Sequence, residues 1–351
     1  MATRHLSALA MLAISVLAGA PAISGPAAAG NSKKIGVSWR HFQEERWKID
    51  EAGIKSVIEP AGYTYVSADA QADPAKQLTD VESLISTGVD ALIILAQDST
   101  AILPALKEAK AAGIPVIAYD APIDSPDALF VSFDNVAVGR LMAKAMVDAQ
   151  PSGNWALIEG DAAHPIVQVF RQGQMEVLKP LIDSGKIKVV AQQNIENWRP
   201  DAAQAAADQI LTANNNNVQA FLAMNDGMAG GVAAALASQG LKNVALSGQD
   251  GDAAALNRIA KGLQTVSIWK NSKDLGETAG KAALELASGK SAHDIQGAMA
   301  TKTGSGKEQP AILLTPIAIT RNNLDDVVKT NWISKSKLCE GVATNPPAAC
   351  K

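Results

Sequence analysis

Short apolar runs of strand length alternate along this chain with longer stretches in which apolar positions recur at helical spacing. The longer stretches include residues 74–88, 135–149, 165–185 and 226–240, and many of them end at glycine. The strand-like runs are KIGVSW, YTYVSA, ALIILA, PVIAYD, LFVSFD, NWALIEG, KVVAQQ, QAFLAM, NVALSG and TVSIW. This alternation predicts βαβ units and parallel sheets, and therefore an α/β fold.

The strand–helix series runs twice, once to about residue 134 and again over residues 135–250. We therefore predict two doubly wound, Rossmann-like lobes. Residues 33–135 plus 251–290 are assigned to the N-terminal lobe, and residues 136–250 plus 291–351 to the C-terminal lobe. A chain that passes several times between two lobes forms a multi-crossover hinge, and such a hinge can close around a ligand.

The overall composition excludes one large class of partner. The 351 residues are 47% hydrophobic but only 4% aromatic, with a formal charge of -4 and a pI near 5.6. A chain of this length suits two domains with parallel strands covered by helices. Because no basic surface is indicated, no nucleic-acid partner is expected.

The first residues have the pattern of an export signal. Arg4 and His5 precede an apolar stretch that ends in the small residues of 27–30. A charged start, a short apolar region and an A-x-A sequence indicate a signal peptide over residues 1–29, cleaved near Ala29. The alternative, a retained anchor, is disfavoured because the apolar stretch is short for a membrane span. A periplasmic location is therefore expected.

The chain has two cysteines, Cys339 and Cys350, close together near its end. An oxidising compartment would allow them to form a disulfide. With no histidine or further cysteine beside them they do not make a zinc site, and no metal site is predicted elsewhere.

Two predicted strands end in an aspartate, one in each half of the chain. Asp120 closes IPVIAYD, and Asp250 closes NVALSGQD. Ligands of α/β sheets bind at the carboxyl ends of the strands, so the two carboxylates are expected to face one cleft. A carboxylate accepts two hydrogen bonds at once, which suits an uncharged, polyhydroxylated ligand. A glycosidase with this carboxylate pair is the enzymatic alternative.

Aromatic residues and hydrogen-bond donors cluster at other predicted strand ends. The loop after the first strand contains His41, Arg46 and Trp47, although Trp47 also suits the core of the following helix. Trp198 lies in a loop of the second half and could stack on a sugar ring. Asn225 and Lys270 follow two further strands, and the neighbouring Asp226 could be a helix N-cap.

Several segments together form a recognisable set: Glu45-Arg46-Trp47, IPVIAYD, VSFDN, FRQGQMEVLKPLIDSGKIKVV, LTANNN, ND..AGG, LSGQD and LLTPI. In these segments the chain resembles the sugar-binding proteins of bacterial ABC importers, D-xylose binders in particular, which have the periplasmic-binding-protein type I fold. The resemblance implies two lobes, a hinge and one sugar between them. The sugar contacts that it implies fall on Arg46, Asp120, Trp198, Asn225, Asp250 and Lys270. Two positions depart from the pattern: Ala121 replaces an arginine, and His164 stands where a carboxylate is expected.

The predicted function is the extracytoplasmic binding component of an ABC sugar importer, without a cofactor and without enzymatic activity. Its partners would be a monosaccharide such as a xylose-like pentose and a membrane permease, and a monomer is expected. A sugar alcohol or cyclitol as ligand, and a role as the ligand-binding partner of a chemoreceptor, remain alternatives. A sugar-responsive transcription regulator shares the fold, but it would need a DNA-binding segment where this chain has an export signal.

Overall fold

The protein has two mixed sheets, each covered by helices. A computed structural model describes residues 1–3 and 33–351, so most of the predicted signal peptide lies outside the described residues. In chain order the first elements are β1 Lys34–Trp39, α1 Arg46–Ile58, β2 Thr64–Asp69, α2 Pro74–Ser86, β3 Ala91–Ile94, α3 Leu103–Ala111, β4 Val116–Tyr119 and β5 Ala128–Phe133. They build most of the first lobe.

The second lobe follows directly. Its elements are α4 Asn135–Ala149, β6 Gly153–Glu159, α5 Ile166–Asp183, β7 Ile187–Asn194, α6 Pro200–Ala213, β8 Ala220–Ala223, α7 Asp226–Ser238, β9 Ala245–Gln249, α8 Ala253–Lys261 and β10 Val266–Trp269. The last elements are α9 Ser272–Ala287, β11 Met299–Lys302, β12 Glu308–Leu314, β13 Ile317–Thr320, α10 Asp325–Lys329 and α11 Lys335–Leu338.

Both sheets are parallel except at one edge. The first has the order β11-β12-β5-β4-β3-β1-β2, and the second has the order β13-β10-β9-β8-β6-β7. Among the strands of the described residues, only the pairs β11–β12 and β10–β13 are antiparallel. The central strands β3, β4 and β8 are buried at every residue, as expected when helices cover both faces of a parallel sheet. The predicted α/β class with two lobes is confirmed.

Within residues 33–351 the chain crosses between the lobes three times. The crossings connect β5 to α4, β10 to α9, and β12 to β13. Two of them are joined to each other, because the backbone N–H of Asp134 donates to the carbonyl oxygen of Leu314 at 2.9 Å. The predicted multi-crossover hinge therefore consists of three adjacent segments.

The predicted division of the last hundred residues between the lobes is wrong in part. Residues 251–290 were assigned to the N-terminal lobe, but β10 lies beside β9 in the second sheet, and only α9 returns to pack on α1. Residues 291–351 were assigned to the C-terminal lobe, but β11 and β12 extend the first sheet. The reason is that α8 is a crossover helix that places β10 parallel to β9, so the return to the first lobe occurs one strand later.

Paired glycines bring helices α4 and α5 into close contact. A β-carbon on Gly139 would lie 2.0 Å from the carbonyl oxygen of Phe170, and one on Gly173 would lie 2.0 Å from the carbonyl oxygen of Val136. The two backbones therefore touch where larger residues would hold them apart. Phe170, on α5, is positioned by this contact.

The C-terminal segment forms a separate small core against the second lobe. Leu338 and Ala349 are buried with Leu256 of α8 and with Trp269 at the end of β10. Cys339 and Cys350 form a disulfide within this segment, as predicted. Within the described residues, no helix has both the length and the apolarity that a membrane crossing requires.

Candidate ligand-binding site

The two strand-end aspartates occupy equivalent places in the two sheets. Asp120 follows β4, and its backbone N–H donates to the carbonyl oxygen of Val131 on the neighbouring strand at 2.9 Å. Asp250 follows β9, and its N–H donates in the same way to Ile268 at 2.9 Å. Their φ angles are +56° and +102°, a region that residues with a β-carbon rarely adopt. Such backbone strain clusters at functional sites, where the surrounding structure maintains it.

A lysine and an arginine connect the two carboxylates across the lobes. Arg46, at the start of α1, donates from Nη2 to Asp120 Oδ1 and from Nη1 to Asp250 Oδ1, both at 3.1 Å. Lys270, at the end of β10, donates from Nζ to Asp120 Oδ1 at 3.3 Å and lies 3.6 Å from Asp250 Oδ1. All four side chains are buried. Arg46 of the first lobe therefore contacts Asp250 of the second, and Lys270 of the second lobe contacts Asp120 of the first.

Arg46 has a third acidic partner below the site. Its Nε donates to Asp50 Oδ2 at 3.3 Å, and the hydroxyl of Tyr119 donates to the same carboxylate. Complete burial raises the pKa of Asp50, although Arg46 acts against that rise. For Asp120 the balance is opposite: burial raises its pKa, but the charges of Arg46 and Lys270 outweigh burial, so its pKa is lowered. Asp120 is thus held as a carboxylate acceptor.

The loop before α1 supplies a second charged pair and an aromatic wall. Arg40 Nη2 donates to Glu44 Oε1 at 3.0 Å, and Trp47 Nε1 donates to Glu44 Oε2 at 2.6 Å. The guanidinium of Arg46 lies over the Trp47 ring, 4.3 Å from its centroid. Trp47 therefore belongs both to the core of the lobe and to the wall of the site.

His164 and Trp198 face this loop from the second lobe. Trp198 Nε1 donates to His164 Nδ1 at 2.7 Å, and the Arg40 Nη1 lies 2.9 Å from the same nitrogen. Two donors at one ring nitrogen require that Nδ1 carry no proton. Burial, and then the charge of Arg40, lowers the pKa of His164 to about 3. His164 therefore holds Trp198 and Arg40 in place as a neutral acceptor.

Further hydrogen bonds hold the cleft closed. Gln43 Nε2 reaches the carbonyl oxygens of Asn197 and Trp198 at 3.4 Å. Gln97 Nε2 donates to Asn197 Oδ1 at 3.1 Å. Gln43 and Gln97 belong to the first lobe, and Asn197 and Trp198 to the second, so the described conformation is the closed one. Asn197 and Trp198 both have positive φ angles, +51° and +57°.

A narrow cavity lies between the lobes at this point. It is lined by Arg40, Glu44, Arg46, Trp47, Leu95, Asp120, Ala121, Ile166, Phe170, Trp198, Asn225, Gln249, Asp250 and Lys270. The structure thus brings together seven of the nine predicted site residues. The other two, His41 and His164, lie outside the lining: His164 behind Trp198 and Arg40, and His41 beside Glu44, where burial and Arg40 lower its pKa to about 4.

Asn225 has a structural role as well as its place in the cavity. Its Oδ1 accepts a hydrogen bond from the Met228 N–H at 2.8 Å and caps α7. The alternative that assigned this cap to Asp226 is therefore wrong. The Asp226 carboxylate instead accepts the backbone N–H groups of Gly251 and Asp252, both at 3.0 Å. Asp226 therefore stabilises the turn that directly follows Asp250.

Three polar lining residues were absent from the predicted set: Arg40, Glu44 and Gln249. Arg40 Nε and Gln249 Oε1 are buried without a hydrogen-bond partner, which is costly unless a ligand supplies one. Gln249 directly precedes Asp250 at the same strand end, and this position in the sequence could have identified it as a lining residue. Within the described residues no group of acidic, histidine or cysteine side chains is arranged to hold a metal ion.

Comparison with known proteins assigns the chain to a family. Residues 35–291 match the periplasmic binding protein domain. The chain is 40% identical over 319 residues to the D-xylose-binding periplasmic protein of Escherichia coli strain K12, covering 90% of this chain and 96% of that protein. The D-xylose-binding periplasmic protein of Haemophilus influenzae is 37% identical over 329 residues, covering 93% of this chain and 98% of that protein.

Solved structures agree with this assignment. A carbohydrate transporter solute binding protein from Chloroflexus aurantiacus, in complex with D-glucose, superimposes with a TM-score of 0.79 at 28% identity. The match covers 87% of this chain and 98% of that one. The chain belongs to the periplasmic binding protein family, as a type I sugar-binding member that resembles the D-xylose-binding proteins.

Proposed function

We propose that this protein is the extracytoplasmic binding component of an ABC sugar importer and that it captures a xylose-like pentose in the interlobe cavity. Closure of the lobes would bury the sugar, and a membrane permease would receive it. The N-terminal segment would direct export to the periplasm and be removed near Ala29. A chemoreceptor that reads the closed form is a secondary partner, and the protein would act as a monomer.

The observation that carries the proposal is the crossed pairing of Asp120 and Asp250 with Arg46 and Lys270. The Arg46–Asp250 and Lys270–Asp120 pairs each join residues of different lobes, so these two pairs form only when the lobes close. Their charges largely neutralise one another, so the cavity favours an uncharged ligand over an ion. Carboxylates accept and cations donate, which matches the dual hydrogen-bonding capacity of sugar hydroxyls.

Apolar rings complete the complementarity. Trp47, Phe170 and Trp198 line the cavity together with the polar groups. A sugar ring presents C–H groups on its faces and hydroxyls at its rim, so a site with aromatic walls and charged acceptors fits both. The nearness of D-xylose-binding proteins among the relatives supports a pentose.

A sugar alcohol or cyclitol is the second candidate ligand, because of Ala121. This side chain lines the cavity directly beside Asp120 and supplies neither a donor nor a charge. A ligand hydroxyl facing it would lack a partner, which costs about 1 to 3 kcal/mol when buried. A polyol with a different hydroxyl arrangement would avoid that cost.

Hydrolysis of a glycoside is disfavoured by the electrostatics of the site. A glycosidase needs one carboxyl group with a raised pKa as its general acid. The pKa of Asp120 is instead lowered by Arg46 and Lys270. The relatives that match most of the chain are also binding proteins by name.

Titration calorimetry on the mature protein tests the proposal. D-xylose, other pentoses, hexoses, xylitol and myo-inositol are each added to protein from which endogenous ligand has been removed. Wild type is compared with Asp250→Asn, which keeps the shape but removes the charge, and with Asp201→Asn, a matched change at an exposed carboxylate that does not line the cavity. We expect binding of one of these compounds, a loss of about 10- to 150-fold in Asp250→Asn, and no change in Asp201→Asn. Absence of binding by all of them, or release of a hydrolysed product, would refute the proposed function.

A further inference from the structure

The backbone at Asp250 is strained and needs support. A φ of +102° at a residue with a β-carbon is maintained only where the surroundings fix it. The next residue, Gly251, also has a positive φ of +75°, so the chain makes a tight turn directly after the carboxylate. The position of the Asp250 side chain therefore depends on what holds the two peptide groups on either side of Gly251.

The N–H side of Gly251 is held by the second lobe itself. It donates to Asp226 Oδ2 and to Ser267 Oγ, both at 3.0 Å. Ser267 Oγ in turn donates to Asp226 Oδ2 at 2.5 Å. These contacts come from α7 and β10, which are parts of the regular fold.

The carbonyl side of Gly251 is held by a residue 81 positions away. Trp332 Nε1 donates to the Gly251 carbonyl oxygen at 2.6 Å. The indole also packs against Trp269, with ring centroids 5.6 Å apart at an angle of 61°. A β-carbon on Gly251 would lie 2.5 Å from Trp269 Cδ1, so this turn fits closely against the same pair of rings.

Trp332 belongs to a part of the chain that the predicted site did not include. We define the C-terminal clasp as residues 324–351. Its core side chains, among them Leu338 and Ala349, pack on α8 and Trp269, and the disulfide Cys339–Cys350 closes it. Asn257 of α8 fastens the clasp independently, because its Nδ2 donates to the carbonyl oxygens of Leu338 and Glu340 at 2.9 Å.

We propose that the C-terminal clasp is a positioning element of the sugar site: Trp332, held by the disulfide-closed segment, fixes the Gly251–Asp252 peptide and thereby orients the turn that carries the Asp250 carboxylate into the cavity. The proposal rests on the proposed sugar-binding function. It makes Trp332 a positioning residue, since it acts through Asp250 and is not part of the cavity lining.

Two variants distinguish an effect of the clasp on the position of Asp250 from an effect on the stability of the whole protein. Trp332→Phe keeps an aromatic ring against Trp269 but loses the donor to Gly251. Asn257→Ala removes two hydrogen bonds that hold the clasp but leaves the Trp332–Gly251 bond in place. We expect both to lower the melting temperature, whereas only Trp332→Phe should raise the dissociation constant of the sugar, by about 3- to 10-fold.

A measurement without ligand completes the test. Hydrogen exchange of the backbone amides at residues 250–252 should become faster in Trp332→Phe and stay unchanged in Asn257→Ala. Equal dissociation constants for wild type and Trp332→Phe, or equal weakening in both variants, would overturn the proposal. If wild type binds no sugar, the proposed function fails instead, and unchanged exchange in Trp332→Phe would then refute the clasp on its own.

Discussion

Arg40 of the first lobe holds its guanidinium Nη1 2.9 Å from Nδ1 of His164 in the second lobe. This contact can form only while the histidine is neutral, because a protonated ring would present N–H to a cation. Burial and Arg40 lower the pKa of His164 to about 3 from its usual value of 6.5. Closure of the cleft is thus linked to the protonation of one side chain.

The first prediction concerns this linkage. Between about pH 6.5 and 3 the unfolded chain binds a proton at His164 that the folded chain does not, so stability falls as pH is lowered through that range. Above pH 6.5 His164 is neutral in both the folded and the unfolded chain, so this loss of stability is absent there. We expect the melting temperature of wild type to fall more than that of His164→Gln as the pH is lowered from 7 to 4.

The comparison with a variant is needed because another group acts in the opposite direction. Burial raises the pKa of Asp226 to about 7, so its contribution to stability grows as pH falls toward 4. This effect is common to wild type and His164→Gln and cancels in their difference. His293→Gln, at an exposed histidine, serves as the control. The same pH profile for His164→Gln and wild type would contradict the prediction.

The second prediction concerns Arg46. This guanidinium contacts three buried carboxylates, those of Asp50, Asp120 and Asp250. Arg46→Gln leaves Asp120 and Asp250 with Lys270 but removes the cation that pairs with Asp50. Removal of one partner from a buried ion pair typically costs about 3 to 5 kcal/mol. We expect urea denaturation to show a loss of this size. Arg140→Gln, at a surface ion pair with Glu176, should show no measurable loss.

The third prediction concerns the place of Trp198. A β-carbon at Gly160 would lie 2.1 Å from Trp198 Cη2 and Cζ2, so Gly160→Ala must displace the indole. The displaced ring would lose its hydrogen bond to His164, and we expect the sugar dissociation constant to rise roughly tenfold or more. Calorimetry measures it. Gly304→Ala, where a β-carbon meets no atom within 4 Å, is the matched control. Unchanged affinity in Gly160→Ala would remove Trp198 from the site.

The fourth prediction concerns the contact of α4 with α5. Gly173→Ala places a β-carbon 2.0 Å from the carbonyl oxygen of Val136, and a backbone atom cannot move aside as a flexible side chain can. We expect a loss of about 1 to 3 kcal/mol in the free energy of unfolding. Gly230→Ala, on α7 with only the flexible Arg258 side chain at 3.4 Å, should be neutral or stabilising, because alanine favours helix. Equal effects of the two changes would contradict this interpretation.

Much of this architecture was accessible from the sequence. The helices predicted over residues 74–88 and 135–149 are observed as Pro74–Ser86 and Asn135–Ala149, because their apolar periodicity and flanking residues are unambiguous. Strands β11, β12 and β13 were not predicted. Pro310 interrupts the apolar pattern of β12, and β11 and β13 are edge strands of four residues with partly exposed positions.

The candidate site was predictable as a set of strand ends but not as a network. The sequence places Asp120 and Asp250 at equivalent sheet edges, since apolar runs that end in a carboxylate are visible without coordinates. It does not indicate that Arg46 contacts both of them or that Trp332 supports Gly251. Those relationships depend on lobe closure and on the path of the C-terminal clasp, which no local pattern encodes.

The three crossings of the hinge determine how often the two halves of the site meet. With a single flexible linker the halves would sample a wide volume, and their effective concentration toward each other would be low. Three parallel connections beside one another restrict the lobes to a narrow range of relative orientations. The two halves of the site, which bear Asp120 and Asp250, therefore meet in nearly the same register each time the cleft closes, and a ligand does not have to organise them.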